Sequence, residues 1–208
     1  KVERRAVEMT AEAYSKSIST FRNFYSAVLL EQLHDSDIKI SHDYADKTST
    51  LPIPATMSLD LIQFLNARRA GVSLRIVSQY PFPWRKTRTL SEFELAAMEE
   101  FRTTSETKFT RSMKQDGEAL FEYAVPMRLS VACVDCHNTH PDTPKNDWRV
   151  GDVRGLQIVA IHPQSFAAED VGGEARIVVA ILVFFAFTFS VIAWLISINN
   201  RSLQLLTR

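Results

Sequence analysis

The chain of 208 residues has little cysteine, no net charge and no basic run interleaved with aromatics. Its 24 lysines and arginines balance 24 aspartates and glutamates, so no net field draws in nucleic acid, and a nucleic-acid partner is not expected. It also lacks a glycine-rich phosphate loop, a nucleophile set beside a base, and carboxylates in acid–base spacing. Nothing in this stretch points to catalysis of its own. The chain opens on Lys1 and reads as part of a longer protein, with room for one soluble domain of ordinary size plus one membrane segment.

Long hydrophobic runs are equally scarce, and there is a single one. Residues 177–198 carry no charge, proline or glycine, and about 20 apolar residues suffice for a helix to cross a bilayer. Trp194 suits an interfacial anchor. Arg201 and Arg208 follow the run without acidic neighbours, whereas Arg176 before it is diluted by Glu169, Asp170 and Glu174. The positive-inside rule then favours the C-terminal stub in the cytoplasm and residues 1–176 outside.

The soluble part divides by punctuation. No proline or glycine interrupts residues 3–32, and Ala6, Met9, Ala13, Ile18, Phe21, Phe24, Tyr25, Val28 and Leu29 recur at helical spacing, which predicts one long amphipathic helix. Pro54 opens a second helix that Gly71 stops. Residues 73–80 alternate as a strand, and Ser91 with Glu94 makes a capping box for a helix over 91–103. Strands over 108–115 and 118–127 flank Asp116-Gly117, a hairpin signal, and a last strand covers 154–162, with residues 133–137 in the long loop between the last two strands. The expected fold is α+β: a long N-terminal helix, an antiparallel sheet with short helices, then one transmembrane helix.

Both cysteines fall in Cys133-Val134-Asp135-Cys136-His137. Two thiols three residues apart can each add to one vinyl group of a porphyrin edge, and the adjacent His137 then ligates the iron, so CxxCH reads as attachment of haem c. A Cys133–Cys136 disulfide with His137 incidental is one alternative. A zinc site of Cys133, Cys136, His137 and His140 is another, but it would crowd four ligands into eight consecutive residues. The second axial ligand cannot be cysteine. His34, His42, His140 and His162 remain, with Met9, Met57, Met98, Met113 and Met127. His42, in a polar loop, is the least disfavoured histidine, and a vacant sixth position open to a gas stands beside it. His140 suits a propionate contact or a loop-fixing role, and His162 a place in the core. Tyr80 and Arg85, in Tyr80-Pro81-Phe82-Pro83-Trp84-Arg85, suit an aromatic wall and a propionate partner, or else a proline-shaped turn. Arg22 and Tyr25 share one helix face, and Asp147, Asp152 and Arg154 suit a polar network after the motif.

The ordered series Arg22-Asn23-Phe24-Tyr25, residues 51–56, residues 80–85, Cys133 to His137, Asn138-Thr139-His140-Pro141-Asp142, Asp147-Trp148 and residues 151–155 resembles the extracytoplasmic haem-c sensor domains with a PAS-like fold of bacterial transmembrane signalling proteins. It is most similar to the version attached to class III adenylate or guanylate cyclases. The resemblance implies an N-terminal signalling helix over 1–36, a PAS-like haem-c sensor domain over 37–163, a juxtamembrane helix over 164–176, a membrane helix over 177–198 and a cytoplasmic linker from 199. It further implies covalent haem on Cys133 and Cys136 with His137 on the iron, a gaseous or redox ligand, a homodimer, and a cyclase or histidine kinase output. At least one family member uses a second-ligand cysteine that this chain lacks. A membrane-tethered electron-transfer cytochrome and a haem-free sensor with a disulfide are the alternatives.

Overall fold

The computed structural model describes residues 2–33, 35–68, 71–85, 87–163, 179–185 and 187–188. The chain forms two compact units, Lys1–Gln164 and Ser165–Arg208. In the first, helix α1 (Val2–Phe24) passes into a π-helical step at Tyr25–Leu29 and a last turn, α2 (Leu30–Gln32). The helix expected over 3–32 is therefore present, but with one widened turn, a feature that shifts which residues share a face. Tyr25 sits in that turn, 2% exposed, with its hydroxyl donating to Pro52 O at 2.7 Å.

Strands β1 (Lys39–Ser41) and β2 (Thr50–Pro52) pair in parallel as a small separate sheet. Pro54 then supplies the first residue of α3 (Pro54–Asn66), as expected. The main sheet is antiparallel with order β3-β6-β5-β4: β3 (Val72–Val77), β4 (Phe109–Gln115), β5 (Glu118–Arg128) and β6 (Val153–Ile161). The β4–β5 turn has positive φ at both Asp116 and Gly117, the combination that Asp-Gly hairpins favour.

Alternation along the central strand β6 sorts its two faces. Leu156 and Ile158 join Val77 and Ala124 in a core closed by Phe93, Ala97, Met98 and Phe101 of α4 (Glu92–Thr103). Gln157, fully buried, points the other way, where its amide donates to Ser15 O and Ser15 Oγ of α1 at 2.7 and 2.9 Å.

The capping box at Ser91 and Glu94 forms, and Glu94 does more than cap. Its carboxylate has no exposed surface and accepts from Arg75 of β3 at 2.8 Å and Arg88 at 2.6 Å. Arg75 also reaches Glu122 of β5, which takes Arg111 of β4. Five charged groups thereby bridge the sheet and the start of α4.

One expectation is corrected. The Cys133–His137 motif does not lie in an open loop between the last two strands but on a helix, α5 (Val131–Thr139). No proline or glycine occurs between Ser130 and Pro141, and Ser130 and His140 bound the helix in extended conformations.

In the second unit the described residues 179–185 and 187–188 are helical, with Leu182, Val183, Phe184 and Phe185 exposed. Most of the 177–198 run lies outside the described residues, and among these no helix is long and apolar enough to cross a membrane.

Two tests follow from the packing. Burial alone would raise the Glu94 carboxyl, but Arg88, Arg75 and the Ser91 N–H override it and hold it at about 2, against 4.5 unperturbed. A depressed carboxylate contributes stability that is full above pH 4.5 and lost as pH falls toward 2. Glu94→Ala should cost about 3–5 kcal/mol in chemical denaturation and flatten that acid limb. At Gly155 an added Cβ would lie 2.5 Å from Val77 O, a backbone atom that cannot swing aside. Gly155→Ala should cost about 1–3 kcal/mol on the same assay.

Candidate functional site

Helix α5 presents the motif. Val134 N donates to Ser130 O at 3.0 Å and His140 N to Cys136 O at 3.1 Å, and the Thr139 hydroxyl returns to Asp135 O at 2.8 Å. Cys133 and Cys136 are both exposed, free thiols, and the Cys133 sulfur lies 3.1 Å from Ser130 Oγ. Positions three apart on a helix have Cβ atoms about 5–6 Å apart, whereas a relaxed disulfide brings them to about 3.8 Å. Closing a disulfide would thus pull the helix together; thioethers to a porphyrin edge need no such contraction.

His137 is half-buried between Phe82, at 5.4 Å ring to ring, and Arg154 of β6, whose Nε donates to His137 Nδ1 at 3.4 Å. Burial first, then the Arg154 and His140 charges, push its pKa down to about 4. The imidazole is neutral near pH 7 and has a lone pair for a metal. Burial likewise lowers Arg154 to about 10 and raises the Cys136 thiol, with Cys133 and Asp135 adding to the latter. Arg22, at the end of α1, is lowered by burial but partly restored by the nearby Cys133.

An aromatic layer lies beside the motif. Phe82 and Trp84 stack at 4.5 Å, His42 stacks on Trp84 at 4.0 Å and 7°, and His140 touches both Phe82 and Trp84, at 5.2 and 5.3 Å. On the other flank Tyr80 meets Trp148 edge-on at 5.6 Å, and Arg154 and Lys145 lie over the Trp148 ring at 5.3 and 4.9 Å. A cleft of about 340 Å³ opens there, lined by Tyr80, Lys145, Trp148, Arg102, Arg128 and Asp152 among others. The indole nitrogens of Trp84 and Trp148 are buried without an acceptor, each an unmet cost of about 1–3 kcal/mol.

Several sequence candidates find definite places. His140 fixes the loop, its Nδ1 accepting from Asp142 N at 3.1 Å. Arg85 is half-buried and donates to Thr56 Oγ1 at 2.6 Å, so its guanidinium is engaged with α3. Asp152 accepts from Arg149 N at 2.8 Å and caps the turn before β6, whereas Asp147 is exposed and pairs with Lys145. His162 follows β6 at the far end of the sheet, its N–H on Gly71 O at 2.8 Å. Asn138, Lys145 and Trp148 were not singled out by composition or spacing. Asn138 clamps the post-motif loop, its side chain donating to Trp148 O and accepting from Trp148 N, both at 3.0 Å. Its signals in the sequence were its position directly after His137 and its place in the run Asn138–Asp142 that carries the resemblance.

Covalent haem would need two accessible thiols, a neutral imidazole, and partners for its propionates. The thiols and imidazole are present, and two orphaned indole donors with Lys145 and Arg154 suit carboxylates. The residues fit, with one adjustment. An iron-bound imidazole keeps its proton on the other nitrogen, so the Arg154 contact to Nδ1 must yield, and Ser78, which Arg154 already touches, remains as its partner. Among the described residues no group of three or more His, Cys, Asp and Glu side chains is placed to hold a metal ion by itself; His137 alone would serve a haem iron.

Asn138→Ala should loosen the post-motif loop, at about 1–3 kcal/mol in denaturant. Emission from Trp148, only 6% exposed, should shift to the red. An unshifted spectrum would dismiss the clamp.

No curated protein and no solved structure matches the chain. A family model described as Tll0287-like matches residues 1–162, the extent of the first unit to the end of β6, and the chain belongs to the Tll0287-like family.

Proposed function

We propose that residues 1–163 form the extracytoplasmic haem-c sensor region of a transmembrane signalling receptor. Residues 177–198 then cross the inner membrane toward a cytoplasmic output domain, a nucleotide cyclase or otherwise a histidine kinase. Family membership is compatible with a sensor-type domain. The observation that carries the haem reading is the motif helix: two exposed thiols and a neutral, half-buried imidazole on consecutive turns. Cys133 and Cys136 hold the porphyrin and His137 the iron, with Arg154, Lys145 and the indoles of Trp84 and Trp148 available to propionates. The bound haem supplies an iron centre whose oxidation state or ligand can change.

A sensor also needs a route from the iron to the helices. Arg154 touches His137, and three residues along the same strand Gln157 grips Ser15, with Ser19 and Arg22 reaching its Oε1 at 3.4 and 3.5 Å. The central strand therefore touches both the motif and α1, which supports α1 as the element that reads the haem. The uncharged run from residue 177, helical and apolar where described, supports the membrane passage.

Produced in a host that attaches c-type haem, the protein should show a pyridine haemochrome spectrum and a haem-sized mass increment that survives denaturation. Cys133→Ala with Cys136→Ala should abolish the covalent mass. Wild-type protein with neither signature refutes the haem. A haem-loaded full-length receptor whose output ignores CO, NO and redox state refutes the sensor but leaves the cofactor.

A further inference from the structure

We propose that the cleft beside Trp148 is a binding site for a small carboxylate. The site stands on the cleft alone, whether or not the haem reading holds. Three cations from three different elements line it: Arg102 in the last turn of α4, Arg128 at the end of β5 and Lys145 in the loop after α5. Among the described lining residues, Asp152 is the one carboxylate. At about 340 Å³ the cleft is in the range of small-molecule sites, and a concave surface dominated by one sign of charge concentrates ions of the other.

None of the three cations is neutralised by a buried partner. Arg102 is exposed, and among the described residues it has neither an ion pair nor a hydrogen bond. Arg128 donates to backbone carbonyls, Phe101 O at 3.0 Å, Gly151 O at 3.1 Å and Thr104 O at 3.5 Å, which hold the guanidinium in place without cancelling its charge. Lys145 pairs with Asp147, whose side chain is 77% exposed, so the pair is worth little in water and is open to exchange.

The donor set selects a carboxylate over a phosphate. Phosphate sites draw on converging backbone N–H groups, but here those of Gly151 and Asp152 are already spent on Leu129 O at 2.8 Å and Arg149 O at 3.1 Å. What remains are side-chain cations, and a guanidinium fork matches the planar carboxylate. The rings of Tyr80 and Trp148, edge to face at 5.6 Å, give a short carbon chain an apolar wall. The buried Trp148 indole N–H lacks an acceptor and leaves one more donor in that wall. A free small carboxylate and a haem propionate share this chemistry, and the test separates them.

The whole chain is titrated calorimetrically with malonate at constant ionic strength, once haem-loaded and once as the haem-free Cys133→Ala/Cys136→Ala variant. The haem-free protein should bind malonate and ignore its neutral diamide. Arg102→Gln removes an exposed cation with no partner to lose, and should weaken binding about 10-fold. Asp152→Asn keeps an acceptor for Arg149 N but loses the charge, and should tighten it; a merely structural part for either residue predicts neither change. Binding of equal strength in the loaded form identifies a free carboxylate as the occupant. Binding lost there, with Arg102→Gln shifting the haem reduction potential, identifies a propionate. Haem-free protein that does not bind malonate, or binds it equally well after both substitutions, overturns the site. A wild type without covalent haem removes the haem reading and leaves the malonate titration to judge the cleft.

Discussion

The close approach of β6 to β3 at Gly155 is the constraint on which both fold and site depend. With no side chain there, Val77 O comes within 2.5 Å of where a Cβ would be, and β3 can lie tight against the central strand. Directly beside this contact, Ser78 Oγ donates to Arg154 O at 2.7 Å and receives the Arg154 guanidinium. Arg154 is thereby held where its Nε meets His137. Loosening the strands at Gly155 would release the cation that sets the charge environment of the motif, so a packing requirement in the sheet becomes an electrostatic one at the site.

The second organising feature is charge buried on the opposite face. Glu94 has no exposure, and an isolated carboxylate there would cost several kcal/mol. Arg75 and Arg88 make it tolerable, and in return Glu94 ties β3, α4 and the segment before α4 to one point. The far end of α4 is linked to the motif region by Arg128, which donates to Phe101 O at 3.0 Å and to Gly151 O at 3.1 Å. Gly151, at φ +92, forms the turn that β6 needs, and its N–H closes on Leu129 O at 2.8 Å. Between them, Glu94 and Arg128 attach both ends of α4 to the sheet and to the loop that carries Trp148.

Much of this was legible in residues with local consequences. Ser91 and Glu94 announced their capping box, Asp116-Gly117 its hairpin and Pro54 its helix start, because each acts within a few residues of itself. What stayed hidden depends on distant partners. Nothing local in Arg75 says that it will meet Glu94 and Glu122 at once, nor in Gln157 that it will be buried against Ser15. The π step at Tyr25 has no proline or glycine to mark it; it accompanies the Tyr25 hydroxyl on Pro52 O, a contact across 27 residues. The motif was expected in a loop because a long connection separates β5 from β6, yet nothing between Ser130 and Pro141 breaks a helix.

Strand β6 is where these threads join. Arg154 and Gln157 stand three residues apart on it, with the register against β5 shifting beside Arg154. One face carries Leu156 and Ile158 into the α4 core, and the other carries Gln157 to α1. A strand flanked on both edges by hydrogen-bonded partners cannot bend locally without breaking ladders on two sides. Displacement of Arg154 therefore has two outlets: rotation of its own side chain onto Ser78, or movement of β6 as a unit. The first isolates the motif from the rest of the domain; the second drags the buried Gln157 amide, and with it Ser15 and Ser19 of α1. Since Gln157 is fully buried and has no water to fall back on, α1 must follow the strand or forfeit those hydrogen bonds, at about 1–3 kcal/mol for the unsatisfied amide. That penalty couples the motif to the long helix.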